Sequence, residues 1–240
     1  MRQAAPSMVD EWRKAAAFMR HPSLEETERL DRPLTLLARI FALDMIVMLG
    51  LITAASIAVA FGVYLPKTAL AGMEFTSIII LGVVVAAPVF EELLFRSWLS
   101  GRLAHIAALV AALVGLGGAI LTHASAPIVA AILAIVGLIV AFCALVSLNK
   151  RPPMRWFVRA YPGIFWFAAL SFALVHLFNF DALSDWRSLA ILLPLVLPQF
   201  VLGALLGYVR VQVGLWAAML LHAAHNSVAV SLAALSALAQ

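Results

Sequence analysis

The sequence predicts an all-α, polytopic membrane protein: a bundle of about seven transmembrane helices (six to eight) behind a short amphipathic N-terminal region. Three observations carry this expectation. The 240 residues are 65% hydrophobic and 12% charged, against about 45–50% apolar and about 25% charged in soluble domains. Mean hydropathy is +1.05. Apolar runs of roughly 20 residues recur, the length that crosses a hydrocarbon core of ~30 Å, and they are too long and continuous for the alternating strands of a membrane barrel. A soluble enzyme and a nucleic-acid-binding module are thereby excluded. The net charge of +4 records which loops stay in the cytoplasm, not an affinity for DNA.

Residues 1–39 form the one extended polar stretch, an arm that is cytoplasmic or interfacial. It holds seven of the sixteen basic residues and six of the twelve acidic ones. No signal peptide is visible, because the first long apolar run begins near Ile40 without a small-residue cleavage site. Met8, Trp12, Ala15 and Met19 follow helical spacing, with Arg13, Lys14 and Arg20 beside them. That pattern suits a short amphipathic helix on the membrane surface. Ser23, with Glu26 three residues on, is a capping-box pattern that would open a second short helix before Pro33.

Residues 40–240 read as one transmembrane helical domain, with spans expected at roughly 40–63, 76–99, 104–122, 127–148, 161–180, 188–208 and 213–235. Pro66, His123 to Pro127, Pro152-Pro153, Pro162-Gly163 and Gly214 mark or adjoin the breaks. Ala, Leu and Gly dominate the runs, as close packing of membrane helices favours. Cys143, the single cysteine, sits in such a run and reads as a small core or lipid-facing residue. Fourteen basic residues fall on one side of this topology, and only Lys67 and Arg187 on the other. The positive-inside rule then puts the N-terminus in the cytoplasm.

In so apolar a chain the ionisable residues within spans carry the information, since each costs about 2.5–3.5 kcal/mol at mid-membrane on the insertion scale. They are Asp44, Glu91, Glu92, Arg96, His176, His222 and His225, with Asn226 as a neutral companion, while His105 and His123 fall near span ends. Glu92 and Arg96 are four apart and stack on one helical face, acid first, which suits an ion pair. Glu91 lies about 100° around the helix and needs a different environment. His222 and Asn226 also share a face, with His225 turned about 60° from His222.

A carboxylate and an imidazole can orient and deprotonate a water. An imidazole N–H and an Asn amide suit an oxyanion developing on a scissile carbonyl. No serine or cysteine accompanies these groups, so a covalent route has little support. Glu91, His176 and His222 could also ligate zinc, although no local spacing is the HExxH kind. The same groups could serve a proton-coupled transporter, or the chain could be a non-catalytic immunity or scaffold protein. The absence of an internal repeat argues against the transporter.

Glu91-Glu92-x-x-x-Arg96, Phe172-x-x-x-His176 and His222-x-x-x-Asn226, in that order on separate apolar segments, resemble the CPBP family of CAAX-processing and bacteriocin-processing (Abi) intramembrane proteases. That family includes the Ras-converting CAAX endopeptidase. The resemblance implies that Glu91 and His176 activate the water, that His222 and Asn226 form the oxyanion hole, and that Glu92 and Arg96 support the first motif. It implies a glutamate-type enzyme without a metal cofactor. The substrate would be a membrane-associated protein or peptide, possibly prenylated. The Ala-rich composition and small loops point to a bacterial inner membrane. One tension accompanies the spans as drawn. Glu91 lies about 12 Å and His222 about 15 Å from their cytoplasmic helix ends, but His176 about 22 Å. The fifth helix would therefore start later, tilt, or break near Pro162-Gly163.

Overall fold

A bilayer leaves each backbone N–H and C=O to be satisfied within the chain, which drives long apolar segments into helices. The computed structural model describes residues 7–24, 32–66, 68, 73–148, 150–180 and 193–238. They form α1 (Met8–Arg20), α2 (Pro33–Ala60), α3 (Ser77–Ser100), α4 (Leu103–Thr122), α5 (Pro127–Leu148), α6 (Arg155–Val175, continued by a 3-10 turn His176–Asn179), α7 (Leu197–Gln212) and α8 (Leu215–Leu238). Six of them, α2 to α6 and α8, are long and apolar enough to cross a membrane. The chain is a polytopic all-α membrane bundle.

The N-terminal helix is opened by a reciprocal cap. Asp10 N–H donates to Ser7 Oγ, and Ser7 N–H and O–H donate to the Asp10 carboxylate. Those bonds from Ser7, and secondarily Arg13 and Lys14, hold the Asp10 carboxyl below its ordinary value. The expected apolar stripe of α1 exists, but protein covers much of it. Ala15 is fully buried, Phe18 and Met19 pack on the core, and Trp12 Nε1 donates to the Arg39 carbonyl of α2 at 2.9 Å. The second arm helix expected from Ser23 and Glu26 runs into residues 25–31, outside the described ones.

Five of the seven expected spans match α2, α3, α4, α5 and α8 to within a few residues, apart from the seven-residue earlier start of α2. Two differ. The span expected at 161–180 starts six residues earlier, at Arg155, and runs unbroken through Pro162. Its first half is a ladder of Phe157, Tyr161 and Phe165 at four-residue spacing, buried against Leu99 and Ala204 and partly against Phe18. The segment expected at 188–208 contributes among its described residues the 16-residue α7, below spanning length. Helix α7 is buried along Leu202–Val209 because it runs through the bundle centre, where its apolar residues face other helices instead of lipid. Hydropathy alone cannot tell those two environments apart.

Helices α4 and α5 form a hairpin that packs chiefly on itself. A Cβ built on Gly115 would stand 2.6 Å from the Gly137 Cα, and one on Gly137 would stand 2.7 Å from the Gly115 Cα. Each glycine thus admits the other helix's backbone, the small-residue packing common between membrane helices. Outside this seam the hairpin presents exposed Val114, Leu121, Ile128 and Phe142, as a surface meeting acyl chains must.

Candidate active site

Helix α3 is irregular where the site begins. A π-helical turn spans Gly82–Ala86, so the Ala87 N–H donates to Gly82, five residues back. The Val83 carbonyl then lacks its usual donor, and the residue five ahead is Pro88, which has no N–H. Asn226 Nδ2 supplies the missing bond at 2.9 Å, tying α8 to α3. Single π turns of this kind recur at functional sites.

One to two turns on, Glu92 and Arg96 form the ion pair that their spacing predicts, Arg96 Nη1 to Glu92 Oε1 at 3.0 Å, with both side chains buried. Arg96 Nη2 donates to the Gly203 carbonyl at 3.4 Å, and the guanidinium carbon stands 3.9 Å from the Phe172 ring centroid. A Cβ on Gly203 would press on both Phe172 and Arg96, so glycine at this point of α7 permits the approach. Charge, carbonyl and aromatic face together neutralise a cation that would otherwise be costly to bury.

Phe172 and His176 are four apart at the end of α6. There the helix tightens into a 3-10 turn, and His176 Nδ1 lies 2.7 Å from the Phe172 carbonyl. A carbonyl only accepts, so Nδ1 carries the proton and Nε2 presents a lone pair. That nitrogen is 3.9 Å from Glu91 Oε2. From α8, His222 Nδ1 donates to Glu92 Oε1 at 2.9 Å, and His222 Nε2 lies 3.7 Å from the same Glu91 oxygen. Glu91 Oε2 thus stands between two imidazole Nε2 atoms and has no hydrogen-bond partner among the described residues. Separations of 3.7–3.9 Å are too long for direct hydrogen bonds and suit a bridging water.

Three helices therefore bring Glu91, Glu92, Arg96, His176 and His222 together, with Asn226 one turn further along α8. The division between the two glutamates holds: Glu92 is locked in a buried pair, while Glu91 faces the histidines and is partly exposed. One refinement concerns His222. Its Nδ1–H is committed to Glu92, so Nε2 can donate only from the imidazolium form. No group of three His, Cys, Asp or Glu side chains among the described residues is arranged to hold a metal ion.

The depth mismatch persists, and neither a later start nor a break accounts for it: α6 begins at Arg155, earlier than expected, and runs unbroken through Pro162. By rise per residue, Glu91 lies about 13 Å from the Ser100 end of α3, His222 about 10 Å from Leu215, and His176 about 31 Å from Arg155. The Met154 N–H donates to the Gly101 carbonyl, which sets the start of α6 beside the Ser100 end of α3, so of the three alternatives a tilt of α6 is the one left.

Besides the His222–Glu92 and Asn226–Val83 bonds, two further contacts escaped sequence reading. His225 Nδ1 pairs with Asp44 Oδ2 at 2.7 Å, and Asp44 is fully buried. Leu36, Ile40, Asp44 and Met48 form the buried stripe of α2 at four-residue spacing, which could have placed Asp44 facing the bundle but not named its partner. Arg210 Nε donates to the Arg96 carbonyl at 3.2 Å, joining the end of α7 to that of α3. His105 and His123, expected near span ends, lie there, bonded locally to Ser100 Oγ and the Ile120 carbonyl.

Fold and site define a polytopic helical membrane protein with a glutamate–histidine cluster assembled between its spans. Residues 73–155 and 147–228 match the family described as Type II CAAX prenyl endopeptidase Rce1-like. Together the matches cover more than half of the chain, which belongs to this family of CAAX protease-type hydrolases. No curated protein and no solved structure matches it.

Proposed function

We propose that the chain is an intramembrane endopeptidase that hydrolyses a peptide bond of a membrane-associated, prenylated CAAX-type protein through a metal-independent, Glu91-activated water. The observation that carries this reading is Glu91 Oε2, unpartnered among the described residues and set between the Nε2 atoms of His176 and His222. A water there gives one proton to Glu91 while the His176 Nε2 lone pair orients it through the other. The resulting hydroxide adds to the scissile carbonyl. The oxyanion accepts from His222 Nε2–H and from the Asn226 amide proton not engaged by Val83. Collapse breaks the C–N bond, and the proton held on Glu91 passes to the leaving amine. Donors fixed in advance of charge development cost no reorganisation during reaction, and burial strengthens them. The N-terminus and the Arg155 end of α6 lie on the cytoplasmic side in this reading, supported by the clustering of basic residues there.

The test is cleavage of a farnesylated CAAX peptide library by purified protein in liposomes. Wild type is expected to cleave and Glu91→Ala to be inactive, with EDTA or phenanthroline leaving the wild-type rate essentially intact. Activity lost to chelator and restored by zinc would replace the glutamate base with a metal-bound water. A library left uncut by wild type would remove the CAAX assignment.

A further inference from the structure

The α4–α5 hairpin joins the bundle at one end, where the Met154 N–H donates to the Gly101 carbonyl beside the turn that closes α3. Beyond that point α4 and α6 enclose a groove of about 660 Å³, within the range of pockets that bury small ligands. Leu103, Ile106 and Val110 form one wall, and Phe157, Ile164 and Phe167 the other. The slot extends about 10–15 Å along the helices, and its shape and apolarity suit a hydrocarbon chain. Trp98 and Trp156 stand at its foot, the residues that mark headgroup level in membrane proteins.

The same end carries a concentrated positive charge. Lys150, Arg151, Arg155 and Arg159 flank Met154 and Trp156 in sequence, all four are exposed, and none forms an ion pair with a described residue. No Asp or Glu occurs anywhere between Glu92 and Asp181. An apolar slot with indoles and uncompensated cations at its mouth complements an amphiphile with an aliphatic tail and an anionic head. Basic clusters at this level attract anionic lipid.

We propose that the α4–α6 groove binds an anionic phospholipid of the surrounding bilayer, its acyl chain between Ile106 and Phe167 and its phosphate against the Lys150–Arg159 cations. The lipid fills the space that side chains leave between the hairpin and α6, and so fastens α4–α5 to the catalytic bundle. The site is separate from the Glu91 cluster and does not depend on what that cluster cleaves.

Delipidated protein titrated with phosphatidylglycerol or with phosphatidylcholine of the same chains tests this, read by native mass spectrometry and thermal melting. Phosphatidylglycerol is expected to bind at one site and raise Tm, with phosphatidylcholine at least tenfold weaker. Gly163→Leu plugs the groove: Gly163 lines it, and a Cβ there meets nothing within 4 Å. This variant should melt as wild type does without lipid but neither bind phosphatidylglycerol nor gain Tm from it. Replacing Arg151, Arg155 and Arg159 together by Gln should abolish the headgroup preference while keeping weak binding of both lipids. Equal binding of the two lipids by wild type, or full phosphatidylglycerol binding by Gly163→Leu, would overturn the proposal. So would stoichiometric displacement of the lipid by a farnesylated peptide, which would make the groove a substrate subsite.

Discussion

Arg96 touches more of the site than any residue that would meet substrate: it neutralises Glu92, caps the Gly203 carbonyl and lies on Phe172, the ring that also packs on His176 and His222. Arg96→Ala strands a buried carboxylate, a loss that typically costs about 3–5 kcal/mol. Lower Tm and lower activity should follow. Adding Glu92→Gln should recover part of the Tm, since the carboxamide oxygen still accepts from His222 Nδ1, but not the rate, because the imidazolium loses its counter-charge. A stable, fully active Arg96→Ala protein would show the pair to be dispensable. Asp44 is the quieter case. Asp44→Ala leaves His225 without its partner and should lower stability by about 1–3 kcal/mol, with Asp44→Asn milder because the amide still accepts. Equal melting of the two variants and wild type would count against the pair. Glu92–Arg96 was readable because both residues lie one turn apart on one helix. Asp44–His225 and His222–Glu92 were not, because no local spacing joins α2, α3 and α8.

At the level of elements, membrane-length apolar runs located five spans because the bilayer imposes its thickness on the sequence. Where protein instead of lipid surrounds a helix, that constraint vanishes, and α7 was drawn as a full span and the start of α6 too late for this reason. The π turn in α3 was likewise hidden: Pro88 was visible, but the orphaned Val83 carbonyl became apparent only with Asn226 against it. The α4–α5 seam gives the sharpest prediction at this scale. Gly137→Ala puts a methyl 2.7 Å from the Gly115 Cα and 2.8 Å from the Ala111 carbonyl oxygen. Backbone cannot swing aside, so the hairpin must separate, at about 1–3 kcal/mol for overpacking of this kind. Gly117→Ala, on the partner helix α4 of the same hairpin but with nothing within 4 Å of the added Cβ, should melt as wild type does. The difference between their Tm values is the measurement, and equal values would refute the seam.

Across the whole molecule, the site exists only where α3, α6 and α8 converge, and each brings one short motif. The three motifs were legible as an ordered set and pointed to the family to which the chain belongs. Their assembly around a single oxygen of Glu91, with His222 turned by Glu92, was not, since it depends on α6 reaching His176 only at its far end. The central claim is that Glu91 is the base. Its most direct test is single-turnover cleavage of a farnesylated CAAX peptide in proteoliposomes, with peptide binding measured on the same samples for wild type, Asn226→Ala, Asn226→Asp and Glu91→Gln. Asn226→Ala should retain turnover about 10²–10³ below wild type, the usual cost of one oxyanion donor. Asn226→Asp should be slower still, because its charge opposes both the oxyanion and the Val83 carbonyl. Glu91→Gln should bind peptide with unchanged affinity and show no turnover, whereas a Glu91→Gln protein that cleaves at a rate comparable to wild type would contradict the account.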